Sequence, residues 1–159
     1  MDTSVAHLNL VTISQEQAID VADSLLGLDE NRPFGRAVDV QDLIEQRCLL
    51  IWADILTPGI GRTTGYVGFC TINVCDEFAE LYRFFVAPEY RRLGIGRSTL
   101  NLLSQYVTSE FGFSEFYMES LGKEAGEFWR KALEDFSVSK AGHRQLKLSF
   151  AATPSSLSS

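Results

Sequence analysis

Val86-Ala87-Pro88-Glu89-Tyr90-Arg91-Arg92-Leu93-Gly94-Ile95-Gly96 is the stretch whose reading decides the fold of this 159-residue chain. Before it, Phe78–Ala87 reads as a strand, and Pro88 stops strand pairing because it has no N–H to donate. After it, Gly96–Phe111 reads as a helix, with Leu100, Leu103 and Val107 on one stripe and Gly112 as C-terminal cap. A chain passing from strand end to helix start leaves successive backbone N–H groups unpaired at the positive end of the helix dipole. Gly94 and Gly96 let a bulky anion approach the main chain, while Arg91, Arg92 and Arg97 add positive charge around it. Together these parts make a cradle for two linked phosphates. A GxG pair alone is more often only a turn. Here the strand, the proline, the arginine pair, the GxG and the amphipathic helix follow in order, and that combination carries the reading. Thr99 occupies the place of the third glycine of a dinucleotide-binding GxGxxG, and GxxxxGK[ST] is absent, so neither of those phosphate loops is meant.

Working outward, Cys48–Ile55 is an apolar run too short for a helix and rich in strand formers. Thr57-Pro58-Gly59-Ile60-Gly61 turns the chain into a strand over Gly65–Val74, and Cys75-Asp76-Glu77 turns it again into Phe78–Ala87. Simple alternation places Phe78, Glu80, Tyr82, Phe84 and Val86 on one face of that strand. Towards the N-terminus, Thr3–Ile13 is an imperfect strand. Ser14-Gln15-Glu16-Gln17 fits a capping box ahead of a helix with Ala18, Ala22, Leu25 and Leu26 on its apolar side. Asp39 caps an expected short helix over Val40–Gln46. Towards the C-terminus, Phe113–Leu121 and Arg144–Phe150 read as strands and Lys123–Glu134 as a helix, while the Ser-rich 151–159 reads as a disordered tail. The expected order is β-α-α-β-β-β-α-β-α-β-β, which a mixed sheet with helices on both faces accommodates as one domain over residues 1–150.

Composition narrows the function classes. With 45% hydrophobic and 22% charged residues, the chain can bury about 68–70% of its unfolded surface without metal or disulfide staples. Cys48, Cys70 and Cys75 are an odd number without CxxC spacing, so they read as reduced packing thiols, and no metal is expected. The longest strictly apolar run, Cys48–Ala53, is six residues, so no membrane span is expected. Met1–Leu10 has Asp2 and no Lys or Arg, unlike a secretory leader, and the expected location is cytoplasmic. The net charge of −7 lies wholly in residues 1–46, which hold nine acids against Arg32 and Arg36. An acidic balance disfavours nucleic acid and attracts cations, although a merely solvated face explains it as simply.

The arginine-and-glycine segment resembles the acetyl-CoA signature of the GCN5-related N-acetyltransferase superfamily, Arg/Gln-x-x-Gly-x-Gly/Ala, filled here by Arg91, Gly94 and Gly96. Ala125-Gly126-Glu127-Phe128-Trp129-Arg130-Lys131 resembles the family's downstream helix, commonly Ala-x-x-Phe-Tyr-x-Lys. The resemblance implies a splayed mixed sheet and acetyl-CoA as co-substrate. The backbone of Phe84, Phe85 and Val86 would bond the pantetheine arm. The amides of Arg91, Arg92, Leu93, Gly94, Ile95, Gly96 and Arg97 would hold the pyrophosphate, and Trp129 would flank the cofactor. Two departures stand out. Trp129 replaces the tyrosine that usually protonates the leaving thiolate, and indole N–H is no useful acid; Gly122 replaces an asparagine often found near that helix start.

The implied reaction is attack of a neutral primary amine on the thioester, in a ternary complex. A free alkylamine titrates near ~10.4, so a base must take its proton. An amide near Val86 would polarise the carbonyl, an effect worth about 3–4 kcal/mol in comparable oxyanion sites. Glu80 is the first candidate base and Glu119 the second. Tyr117 and Tyr82, in phase with them, and Ser120 are candidate acids, while His7 and His143 on the terminal strands read as incidental. The acceptor expected from the acidic N-terminal third is cationic: a polyamine, an aminoglycoside-like amine, or an amine of a basic peptide or protein. Family members often dimerise, so a homodimer belongs among the expected partners, though no stretch here marks an interface. The competing reading is a non-catalytic acyl-CoA-binding or regulatory module, for which Trp129 is the sequence argument.

Overall fold

The computed structural model describes residues 3–30, 45–75, 78–119, 136–140 and 145–150. Its strands are β1 (Ser4–Val11), β2 (Glu45–Thr57), β3 (Gly61–Val74), β4 (Ala79–Val86), β5 (Glu115–Glu119), β6 (Ser137–Lys140) and β7 (Gln145–Ser149). They form one sheet in the order β1-β2-β3-β4-β5-β7-β6. Every neighbouring pair is antiparallel except β4 with β5, which is parallel. Two α-helices accompany the sheet among the described residues, α1 (Gln15–Leu26) and α2 (Ile95–Phe111). The helix expected over Lys123–Glu134 and the tail from 151 lie outside the described residues.

The two helices cover opposite faces of the sheet, as the alternation along β2 makes plain. Cys48 and Leu50 point to one side, where with Phe69 and Phe85 they bury Ala18, Ala22, Leu25 and Leu26 of α1. Leu49 points to the other, where with Cys70, Ile72, Leu81, Phe116 and Met118 it buries Leu100, Leu103 and Val107 of α2. Ile95, in the first turn of α2, packs on Ile51, Val67 and Val86 beside them. Each such fully buried aliphatic or aromatic side chain stabilises the fold by roughly 1.5–3 kcal/mol.

Local chemistry sets the helix ends. Ser14 Oγ accepts a hydrogen bond from the Gln17 N–H at 3.3 Å, as a capping serine should. Gln15 makes a different contact: its side-chain amide accepts from the Cys48 N–H at 2.7 Å and donates to the Cys48 carbonyl at 3.3 Å. The β1–β2 ladder ends at Val11 and Leu50, so this amide prolongs it by one rung and ties the start of α1 to the sheet. Gly112 closes α2 with φ of 74°, its N–H bonded to the carbonyls of Thr108 and Val107.

One expected element is corrected. Glu45 and Gln46, read as the end of a helix over Val40–Gln46, begin β2 instead and pair with Val74 and Asn73. The ladder offered by the long β3 decides their conformation, and residues 40–44 lie outside the described set. A second correction concerns β4. Its register with β3 slips between Thr71 and Ile72, which leaves Tyr82 as an extra residue, a β-bulge. The bulge reverses the alternation. Ala79 and Leu81 before it face α2, and Phe84 and Val86 after it also face α2. Glu80 therefore points to the α1 side with Phe85, not to the side of Phe84 and Val86 as simple alternation expects.

Candidate active site

Strands β4 and β5 touch over only two registered pairs, Glu80 with Tyr117 and Leu81 with Met118. From Tyr82 to Val86, β4 pairs with no strand on that side among the described residues. The main chain there is aimed at the opening. A strand in an antiparallel pair presents its N–H and C=O groups to alternate sides, residue by residue. The Ala87 N–H bonds the Val67 carbonyl of β3 at 2.8 Å, so the polar groups of Phe84 and Val86 turn away from β3, toward β5. Phe85, with its ring 5.7 Å from that of Phe69, is anchored in the α1-side core and presents its own groups to β3.

At the end of this open strand a single 3-10 turn, Pro88–Tyr90, leads into α2. The N–H groups of Tyr90 and Arg91 are taken up by the carbonyls of Ala87 and Pro88, at 2.9 and 3.3 Å. The candidate phosphate cradle thus begins after Arg91 rather than at it. Arg92 has φ of 67° and Gly94 has φ of 77°, and this alternation turns the chain so that Gly94 becomes the N-cap of α2. A non-glycine side chain in this left-handed region costs roughly 1–3 kcal/mol, which Gly94 avoids. A Cβ placed on Gly94 would meet no atom within 4 Å, so the space in front of the helix start is open. The amides of Gly94, Ile95 and Gly96 head the helix, where no intrahelical carbonyl can reach them. An open mouth and helix-start amides with no partner among the described residues fit a phosphate-bearing co-substrate.

The arginines divide their work. Arg91 was expected to lend positive charge to the cradle. Instead its Nε donates to the Val86 carbonyl at 2.8 Å, and its terminal nitrogen meets Asp29 Oδ2 at 2.8 Å. Its guanidinium also lies 5.4 Å from the centre of the Phe85 ring. Arg91 is therefore a clamp that joins the end of α1 to the end of β4, with its charge answered by a buried carboxylate. Arg92 and Arg97 are exposed beside the helix start, with Leu93 half-buried between them. They also line a groove of about 880 Å³ between α2 and β1, whose far wall includes Val5, His7 and Leu8. That groove meets the outer edge of the cradle and takes no lining residue from β4 or β5.

On the α1 side, Glu80 and Tyr117 stand next to each other across the β4–β5 seam. Glu80 is half-buried, and its Oε1 accepts a hydrogen bond from Asn73 Nδ2 at 3.2 Å. The Tyr117 ring sits edge-on to Phe78, 5.1 Å between centres. Tyr82, the bulge residue, is exposed, and the Arg83 guanidinium lies 4.8 Å from its ring centre. Glu119 closes β5 two residues beyond Tyr117 and pairs with Gln145. Ser120 and Trp129 lie outside the described residues. The structure thus brings together Glu80 and Tyr117 on one side of the seam, and Phe84, Val86, Gly94, Ile95 and Gly96 around the opening.

Sequence reasoning passed over two residues. Asp29, partner of Arg91, is 62 positions away in sequence and carries no local signal. Asn73 is visible only once β3 and β4 are paired. Two of the three thiols, Cys48 and Cys70, are buried in the core. Burial pushes Cys48 up to about 12, with the Asp23 carboxylate adding to the rise, and burial also raises Cys70. Among the described residues there is no group of three His, Cys, Asp or Glu able to hold a metal ion, and no helix long and apolar enough to cross a membrane.

A strand opening beside a parallel partner and ending at the start of a helix gives the chain a candidate site for a phosphate-bearing co-substrate. The chain belongs to the acetyltransferase (GNAT) family, whose model matches residues 22–134. It is similar in fold to an acetyltransferase from Thermus thermophilus at 16% identity and a TM-score of 0.56, over 92% of this chain and 97% of that one. It is similar also to the PaiA N-acetyltransferase from Thermoplasma acidophilum in complex with coenzyme A, at 17% identity, TM-score 0.54, and 91% and 98% coverage. A third is the spermidine N-acetyltransferase from Vibrio cholerae in complex with CoA and spermine, at 12% identity, TM-score 0.54, and 89% and 92% coverage. No curated protein sequence matches the chain.

Proposed function

We propose that this acetyltransferase moves the acetyl group of acetyl-CoA to a primary amine on a cationic acceptor, by direct attack within a ternary complex. The observation that carries the reading is the pairing of Glu80 with Tyr117 at the point where β4 leaves β5, beside main-chain groups of Phe84 and Val86 turned to the opening. The thioester supplies the activated acetyl group. The amides of Gly94, Ile95 and Gly96 hold the pyrophosphate at the helix start, and a main-chain N–H of β4 between there and Glu80 polarises the thioester carbonyl. Glu80 takes the proton of the attacking amine, and the Tyr117 hydroxyl returns a proton to the departing thiolate. No covalent enzyme intermediate is needed.

Two features support a cationic acceptor. Glu16 and Asp20 are exposed on α1, the element that covers the Glu80 side of the sheet. The Vibrio cholerae relative in fold is a spermidine N-acetyltransferase solved with the polycation spermine. The test is release of CoA thiol from acetyl-CoA over a panel of amines. Turnover is expected with polyamines or basic peptides, weakening as salt rises. Turnover confined to neutral or anionic acceptors would overturn the cationic assignment. Binding of CoA without thiol release for any amine would favour a non-catalytic acyl-CoA-binding module.

A further inference from the structure

A polar row crosses the α1 side of the sheet at matched register. Gln46 of β2 stands beside Asn73 of β3, Asn73 beside Glu80 of β4, Glu80 beside Tyr117 of β5, and Tyr117 beside Lys147 of β7. Asn73 is the most enclosed of them with a described contact, only 3% exposed. Its Nδ2 donates to Glu80 Oε1 at 3.2 Å, while its Oδ1 is buried with no hydrogen-bond partner among the described residues.

The two halves of that observation explain each other. An ionised carboxylate accepts hydrogen bonds and donates none, so Glu80 dictates which end of the amide faces it. Turning the nitrogen to Glu80 leaves the oxygen without a donor, and a buried acceptor left unpaired costs stability. An apolar side chain at position 73 would incur no such cost. The asparagine therefore serves something other than the core.

We propose that Asn73 is a positioning residue for the Glu80 carboxylate, holding Oε1 and so fixing the orientation in which the carboxylate meets the incoming amine. This rests on the reading of Glu80 as the base. Asn73 touches neither the amine nor the thioester; it acts through Glu80, and its orphaned oxygen is the cost of that orientation.

The experiment is a double-mutant cycle on the full chain, Asn73→Leu and Glu80→Gln, singly and together, in the thiol-release assay with the best amine. Asn73→Leu is expected to melt at or above the wild-type temperature, because it removes a buried unpaired acceptor. It is expected to lose about 10- to 100-fold in kcat, as misplaced catalytic groups do, with KM for acetyl-CoA unchanged. In the Glu80→Gln background the same substitution is expected to cost less than twofold, since no base remains to be held. Asn73→Asp keeps the shape and loses the donor, so it is expected to behave as Asn73→Leu does in kcat. Full additivity of the two losses, an unchanged kcat in Asn73→Leu, or full activity in Asn73→Asp would overturn the positioning role while leaving Glu80 as base. Full activity in Glu80→Gln would overturn both. A wild-type chain that releases no thiol with any amine would remove the proposed function itself.

Discussion

Gly94 and Gly112 make a matched pair that separates folding from binding. They stand at opposite ends of α2, with φ of 77° and 74°, and a Cβ on either would meet no atom within 4 Å. Replacing either by valine thus adds the same left-handed strain, with open space at the Cβ in both places. Each should lose about 1–3 kcal/mol, the usual cost of a non-glycine residue in that region. For a chain of this length each kcal/mol is worth about 2–4 °C, so both variants should melt roughly 5 °C low, within a band of about 2–12 °C. Ligand linkage divides them. At 100 times its Kd, CoA should stabilise the wild-type protein by about 2.7 kcal/mol, a gain of roughly 5–11 °C. Gly112→Val should keep that gain, because its site is 17 residues of helix away from the cradle. Gly94→Val should lose most of it, because its side chain stands where the phosphates approach the helix-start amides. Differential scanning fluorimetry with and without CoA reads both quantities. A full CoA-linked gain in Gly94→Val would refute the phosphate seat, and an undisturbed apo Tm in Gly112→Val would refute the strain argument beneath it.

Other expectations follow from the side-chain contacts. Arg91→Leu should lower the apo Tm by a few degrees, since it leaves the buried Asp29 without its 2.8 Å partner; half of the arginine is solvated, so the loss should fall well short of a fully buried pair's. Adding Asp29→Asn should recover part of the loss, and identical melts for the single and double variants would show that the pair is idle. Asp54 is held below its ordinary value of 3.8, chiefly by the Thr64 hydroxyl at 2.6 Å and then by Arg62. A depressed carboxylate contributes stability that is present above 3.8 and lost as pH falls through the folded-state value. Asp54→Asn should therefore melt below wild type at pH 7 and level with it in strong acid; a gap that persists in acid would contradict the assignment. Cys48 and Cys70, both buried with raised pKa values, should resist a thiol reagent at pH 8 in the native protein and react on unfolding. Equal native and unfolded labelling rates by mass spectrometry would show that the core opens freely.

Features that depend on neighbours in sequence were legible, and those that depend on partners far along the chain were not. Ser14 as cap, the turn through Pro58 and Gly59, and Gly94 and Gly112 at the ends of α2 each announce themselves through backbone preferences of the residue itself. The opening between β4 and β5 was legible only through the family resemblance, because no single residue encodes where two strands part. The bulge at Tyr82 carries no glycine or proline to mark it, so alternation ran past it and placed Glu80 on the wrong side. Glu45 and Gln46 read as helix because nothing local tells of the β3 ladder that claims them. For Arg91 the charge was right and its use was not: three positive side chains beside a cradle look alike until Asp29 arrives from the far end of α1.

The bulge has a further meaning for how such a protein changes over generations. Ala79 and Leu81 before Tyr82 and Phe84 and Val86 after it all meet the α2 side, so the extra residue keeps one face of β4 buried across a change of parity. Losing that residue would turn every later side chain of β4 to the opposite face, so over generations the strand can change its residues far more easily than its length.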